Sequence, residues 1–193
     1  MATIRETGAA GIQRASAWAV GTREVVYMAI GAALYGVLGW ATSFLKIPGP
    51  FNTAIRPAVA IPMFFGAVFG PWVGFFTGFV GNVIIDLISG YGFSWNWSLG
   101  NGLLGLISGL AFVQAKAAGE DLPKIQWALI WSVIGVLVAF LFSSVTDIWA
   151  YATPAQEIPA EYLGVIVPNI IAGVILVPIL YYAYRQTQER SGR

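Results

Sequence analysis

Long runs without an ionised side chain constrain this chain more than any other feature. Met28–Leu45 carries none, and neither does Ala58–Ile85, which is broken only at Gly70-Pro71. Leu87–Gln114, Ile125–Thr146 and Tyr162–Tyr184 complete the set. A helix needs roughly 20 apolar residues to cross the hydrocarbon core of a bilayer. The chain therefore reads as a polytopic all-α membrane protein, and the few polar groups inside its runs become the candidates for function.

Composition narrows the chemistry. Only 10% of the residues are charged, against about 25% in a soluble domain, so most of the surface is expected to face lipid. There is no cysteine and no histidine, which excludes disulfides, Ser-His and Cys-His dyads and imidazole metal sites. No metal and no cofactor is expected. A net charge of +1 offers nothing to a nucleic acid, and no phosphate-binding loop is present. If ATP drives work here, the motor is another subunit.

Six membrane helices are predicted: Arg23–Leu45, Pro57–Phe69, Trp72–Ser89, Ser98–Ala117, Ile125–Thr146 and Tyr162–Tyr184. The run joined at Gly70-Pro71 is too long for one crossing, and that dipeptide breaks helices, so a hairpin is expected there. Residues 1–22 read as a cytoplasmic tail rather than a secretory signal, 23–185 as the membrane domain and 186–193 as a second cytoplasmic tail. With both termini inside, Arg5, Arg14, Arg23, Lys116, Lys124, Arg185, Arg190 and Arg193 are cytoplasmic, and only Lys46 and Arg56 are outside. The positive-inside rule selects that orientation. The outer side then holds the unusual connections: Lys46–Arg56 with Pro48, Gly49 and Pro50, the aromatic Gly90–Trp97, and Asp147–Glu161. No inverted repeat marks a self-sufficient secondary transporter.

Several polar and small residues stand out. On the first helix Ala29, Ala32, Ala33, Gly36 and Gly39 share one stripe, which lets two backbones approach closely in lipid. The stripe serves either packing within the chain or docking of a separate membrane subunit. Asp86 lies near the outer end of the third helix, where a carboxylate needs a partner or water. Arg56 is the candidate partner, and the two either clamp the outer end or bind a polar ligand. Asn101, Asp147 and the outer part of the last helix converge on the same side. There Asn169 follows Pro168, which frees a backbone carbonyl. Trp95, Asn96 and Trp97 cap that side. Interfacial tryptophans commonly anchor a helix, yet flat rings beside amides also suit a planar heteroaromatic ligand.

Four stretches, Gly31–Gly39, Asn52–Ala60, Phe65–Gly81 and Gly90–Gly102, carry a resemblance to the substrate-binding S components of energy-coupling factor (ECF) transporters, nearest to a group labelled riboflavin-type. The resemblance implies a six-helix bundle that captures a vitamin-like micronutrient in the cytoplasmic membrane of a prokaryote. It implies a transmembrane T subunit and two cytoplasmic ATPases as partners, and no catalysis by this chain. It favours docking through an Ala-x-x-x-Ala pattern, here Ala29 and Ala33, overlapped by Ala32 and Gly36. It places the ligand near the outer face, among Trp95, Asn96, Asn101, Asp147 and Asn169, with Lys46–Arg56 as the gate; Arg56 and Asp86 join the candidate binding residues from the reading of the sequence itself. The rival readings are an intramembrane enzyme using Asp86 and Asp147 as a carboxylate pair, and an assembly subunit that binds nothing small.

Overall fold

A computed structural model describes residues 16–44, 56–90 and 92–192. These residues form helices α1 (Thr22–Ala41), α2 (Ala60–Phe69), α3 (Pro71–Ser89), α4 (Trp95–Ser108), α5 (Leu110–Ala117), α6 (Ile125–Ala150) and α7 (Ile158–Arg190). A 3-10 turn, Pro57–Val59, opens α2. Among the described residues five segments are long and apolar enough to cross a membrane, with α4 and α5 counting as one crossing. Together with the shorter Pro57–Phe69 they make the six predicted helices. The last one is longer than predicted, because α7 runs unbroken past Tyr184 to Arg190 with Pro168 and Pro178 inside it.

The second helix explains the arrangement. Every residue from Ala60 to Val68 is buried. A helix that is apolar all round belongs in a core, and this one lies inside a ring of the longer helices. Gly70, at φ 113°, ends α2 and starts α3 in a single residue, a conformation that glycine adopts without strain. The predicted hairpin is therefore present. The 3-10 turn and α2 together hold thirteen residues, about 20 Å at helical rise, against a hydrocarbon core of roughly 30 Å. Starting from the inner turn, the helix stops short of the outer surface. Arg56, at its open end, is half-buried.

Antiparallel α3 and α4 meet in rungs one turn apart. Gly109 packs on the Gly70-Pro71 turn, Gly105 on Gly74, and the backbone of Asn101 on Gly78. A Cβ on Gly74, Gly78 or Gly105 would strike backbone, so the two helices touch main chain to main chain. Further out the rungs become polar: Asn82 faces Ser98, and Asp86 faces Ser94. The α4–α6 contact repeats the device. Gly135 packs on Leu104, and Gly100 on Ser143. One turn further out Asn96 meets Asp147. Close packing at the inner rungs thus fixes which polar side chains face each other at the outer ones.

Helix α1 lies along α3. Gly31 packs on Thr77 and Phe65, Gly36 on Ile84, and Gly39 on Ile85, while the Tyr35 ring fills the space left by Gly81. The predicted small-residue stripe is divided by this contact. Ala32 and Gly36 are buried, whereas Ala29 and Ala33 stay exposed on the adjoining face.

Candidate substrate-binding site

The outer ends of the helices hold two hydrogen-bond networks joined through one tryptophan. The first centres on Asn82, which is fully buried. Its Oδ1 accepts from Arg56 Nη1 at 3.1 Å and from Asn101 Nδ2 at 3.3 Å. Its Nδ2 donates to Asp86 Oδ2 at 3.3 Å and to Ser98 Oγ at 3.2 Å. Asp86 Oδ2 also accepts from the Ser94 backbone N–H at 3.1 Å and from the Ser94 hydroxyl. The Tyr35 hydroxyl donates to Asn101 Oδ1 at 2.7 Å, which brings α1 into the same network. Arg56 and Asp86 form no ion pair among the described residues, so the clamp considered for them is not a direct contact. The Asn82 amide sits between them, accepting from the cation and donating to the carboxylate.

The second network joins α4 to α6. Asp147 accepts from Asn96 Nδ2 at 2.5 Å and from the Trp97 indole Nε1, at 3.1 Å to Oδ1 and 3.0 Å to Oδ2. Asn96 Nδ2 also reaches the Ser143 carbonyl at 3.1 Å and Thr146 Oγ1 at 3.0 Å. The Glu161 carboxyl, at the start of α7, lies against that of Asp147. Trp97 connects the two networks, because its backbone carbonyl accepts from Asn101 Nδ2 at 2.9 Å. On the outer rim Tyr151 stands over Ser94. Its phenol is pushed above the ordinary range by burial and by the Asp147 and Asp86 carboxylates, against the Ser94 hydrogen bond.

The structure brings Arg56, Asp86, Asn96, Asn101 and Asp147 together at one end of the bundle, and it leaves two of the sequence candidates elsewhere. Trp95 is 47% exposed on the outside of α4, and no hydrogen bond links it to either network. Asn169 lies deeper, donating to the Val165 carbonyl at 2.7 Å within α7. There it lines a narrow crevice with Met63, Ser132 and Gly173. Tyr35, Asn82, Trp97 and Glu161 are members that the sequence reading did not assign to the site. Asp86 and Asp147 bond to different faces of α4, the first through Ser94 and the second through Asn96. This arrangement does not present them to one another across a shared water, as a carboxylate pair would need.

Toward this outer end five buried polar atoms have no hydrogen-bond partner among the described residues: Arg56 Nε, Ser89 Oγ, Asn96 Oδ1, Ser144 Oγ and Glu161 Oε2. Burying such groups unpaired costs about 1–3 kcal/mol each, more when they are charged. Donors and acceptors are thus left uncommitted at this end of the bundle. The predicted gate, Lys46–Arg56, lies outside the described residues except for Arg56 itself.

Comparison with known proteins agrees with this architecture. The family model for the ECF-type riboflavin transporter S component matches residues 19–186. The chain belongs to this S-component family. A UPF0397 protein of Streptococcus gordonii (strain Challis) is 35% identical over 174 residues, covering 88% of this chain and 91% of that protein. The chain is thus a multi-pass membrane component of a transporter for vitamin-like substrates, and a family of that kind is not a class of enzymes.

Proposed function

We propose that this S component captures a planar, nitrogen-containing micronutrient from the outer side of a prokaryotic cytoplasmic membrane. The observation that carries the reading is the pair of buried polar networks at one end of the bundle, beside which Arg56 Nε, Asn96 Oδ1 and Glu161 Oε2 have no partner among the described residues. Such atoms are rare in folded proteins and call for a partner, and a ligand with both donors and acceptors supplies one. Half-buried Trp97, held by Asp147 and packed on Phe140 with ring centroids 6.0 Å apart, offers a fixed aromatic face beside them. The binding residues in this reading are Arg56, Asp86, Asn96, Trp97, Asn101 and Asp147. Flavins, named in the family description, are one class of ligand that fits.

If ATP drives release to the cytoplasm, a partner supplies it, because no phosphate-binding loop is present in the sequence. The reading assigns that work to a T subunit and two ATPases. The exposed Ala29–Ala33 face of α1 is the docking surface that it favours, since small residues allow close helix approach in lipid. Ala32 and Gly36 then act from behind, by setting α1 against α3.

Mass spectrometry of small molecules retained by the gently purified protein tests the reading. A retained heteroaromatic compound, lost in Asn101→Ala and Trp97→Ala proteins that still fold, is the expected result. A folded wild-type protein that retains and binds no small molecule overturns it.

A further inference from the structure

Helix α1 carries two opposed faces at one depth. Ala33 belongs to the exposed Ala29–Ala33 face. Tyr35, two residues on, lies about 200° around the helix and only about 3 Å further along it. It therefore points into the bundle, where it is 1% exposed and its ring packs on Gly81 of α3. Its hydroxyl reaches α4 and donates to Asn101 Oδ1 at 2.7 Å. The buried residues of α1 are Met28, Gly31, Ala32, Tyr35, Gly36 and Gly39, and Tyr35 is the one whose side chain carries an O–H or N–H. Around it, Gly36 and Gly39 pack on Ile84 and Ile85, apolar contacts with no direction of their own. The Tyr35 bond is directional, so it registers where α1 sits.

The other end of the bond is equally constrained. Asn101 is 4% exposed. Its Nδ2 is committed to the Trp97 carbonyl at 2.9 Å and to Asn82 Oδ1 at 3.3 Å. Turning the amide over would set its oxygen against two acceptors, so Oδ1 stays turned to Tyr35. Among the described residues the Tyr35 hydroxyl is the donor that reaches it. Helix shifts of about 1–2 Å are common where subunits meet. A shift of about 1 Å along this bond stretches it beyond the ordinary O–H···O range and leaves a buried amide oxygen without its donor.

We infer that Tyr35 is a positioning residue that links the docking face of α1 to the capture site, holding Asn101 in its binding orientation only while α1 keeps its place on α3. A partner seated on Ala29 and Ala33 that shifts α1 thereby weakens the hold on the ligand, and by reciprocity a bound ligand resists that shift. This inference rests on the capture and docking readings above and supplies the connection between them.

The sequence has no cysteine, so nitroxides on Ala33→Cys of α1 and Val138→Cys of α6 are the only labels on the full chain. Both positions are exposed on the bundle surface. Double electron–electron resonance in lipid nanodiscs reads the distribution of distances between them. Asn101→Ala is expected to broaden that distribution when Tyr35 is present, and to add nothing in a Tyr35→Phe chain that is already broadened. Distributions unmoved in either single variant, or broadening that adds in the double variant, overturn the inference. A hydroxyl that serves stability alone lowers Tm in Tyr35→Phe and leaves the distances unchanged, which also overturns it. Should Asn101→Ala fail to fold, Tyr35→Phe against the wild type decides by the same reading. Equilibrium dialysis of the compound retained on purification is the second readout: Tyr35→Phe should weaken its binding by about tenfold, and unchanged affinity counts against the link. The two readings fail separately. Distances that do not respond remove the link and leave capture standing, whereas a folded chain that retains and binds no small molecule removes capture.

Discussion

Replacing Asn82 by leucine removes the centre of the first network while keeping nearly the same volume. Four hydrogen bonds disappear, two to the charged groups Arg56 and Asp86 and two to Asn101 and Ser98. Values from soluble proteins, about 1.5–3 kcal/mol for each bond to a charge and about 1 kcal/mol for each neutral one, give an upper bound near 5–8 kcal/mol. Side-chain hydrogen bonds between membrane helices average only about 0.6 kcal/mol, because the unfolded chain in the membrane finds other partners. Four at that value give a lower bound near 2.4 kcal/mol. Asp86 keeps Ser94, and Asn101 keeps Tyr35 and the Trp97 carbonyl, so the loss should fall toward the lower bound, at about 2.4–4 kcal/mol. Reversible unfolding in mixed micelles against the mole fraction of dodecyl sulfate measures it. Asp86→Asn should also cost less in the Asn82→Leu background than in the wild type, since the amide that links Asp86 to Arg56 is already gone. A loss under about 0.5 kcal/mol, with additive effects of the two substitutions, would refute the view that Asn82 holds the outer ends together.

Further expectations concern docking and packing. Ala29→Trp and Ala33→Trp should leave folding and ligand binding unchanged and abolish co-purification with a T subunit; loss of binding with an intact complex would count against that face. Gly36→Trp should instead destabilise the chain itself, because even a Cβ there meets Ile84, and a Tm equal to that of Ala33→Trp would contradict the α1–α3 contact. Trp97→Phe keeps the ring and loses the indole N–H, so ligand affinity should fall by about tenfold, roughly 1.4 kcal/mol, as read by equilibrium dialysis of the retained compound. Trp95→Phe, on the exposed side of α4, should leave that affinity unchanged.

The fold was legible because its signals are local. Uncharged runs mark the crossings, and Gly70-Pro71 marks the turn between two of them. The site was legible by region, since the outer loops carry the uncommon polar residues. Its membership depended on azimuth, which a single sequence states poorly. Trp95 and Trp97 are two residues apart, so they lie about 200° apart around α4, and only the position of α6 decides which one meets Asp147. The α1 stripe has the same ambiguity, with α3 covering Ala32 and Gly36 and leaving Ala29 and Ala33. Glu161 follows a loop rich in proline and acids and reads as a solvated residue, until α6 and α7 bring it against Asp147. Asn169 was placed with the outer group because Pro168 loosens the helix there, yet it lies roughly two turns deeper than Glu161.

A structure of the protein with its retained small molecule tests the account most directly. The account predicts ligand density at the outer end of the bundle, touching Asn96 Oδ1, the Trp97 ring and Asn101. Density instead in the crevice beside Asn169 and Ser132, or in the inner groove formed by Lys124, Tyr181 and Arg185, would contradict it.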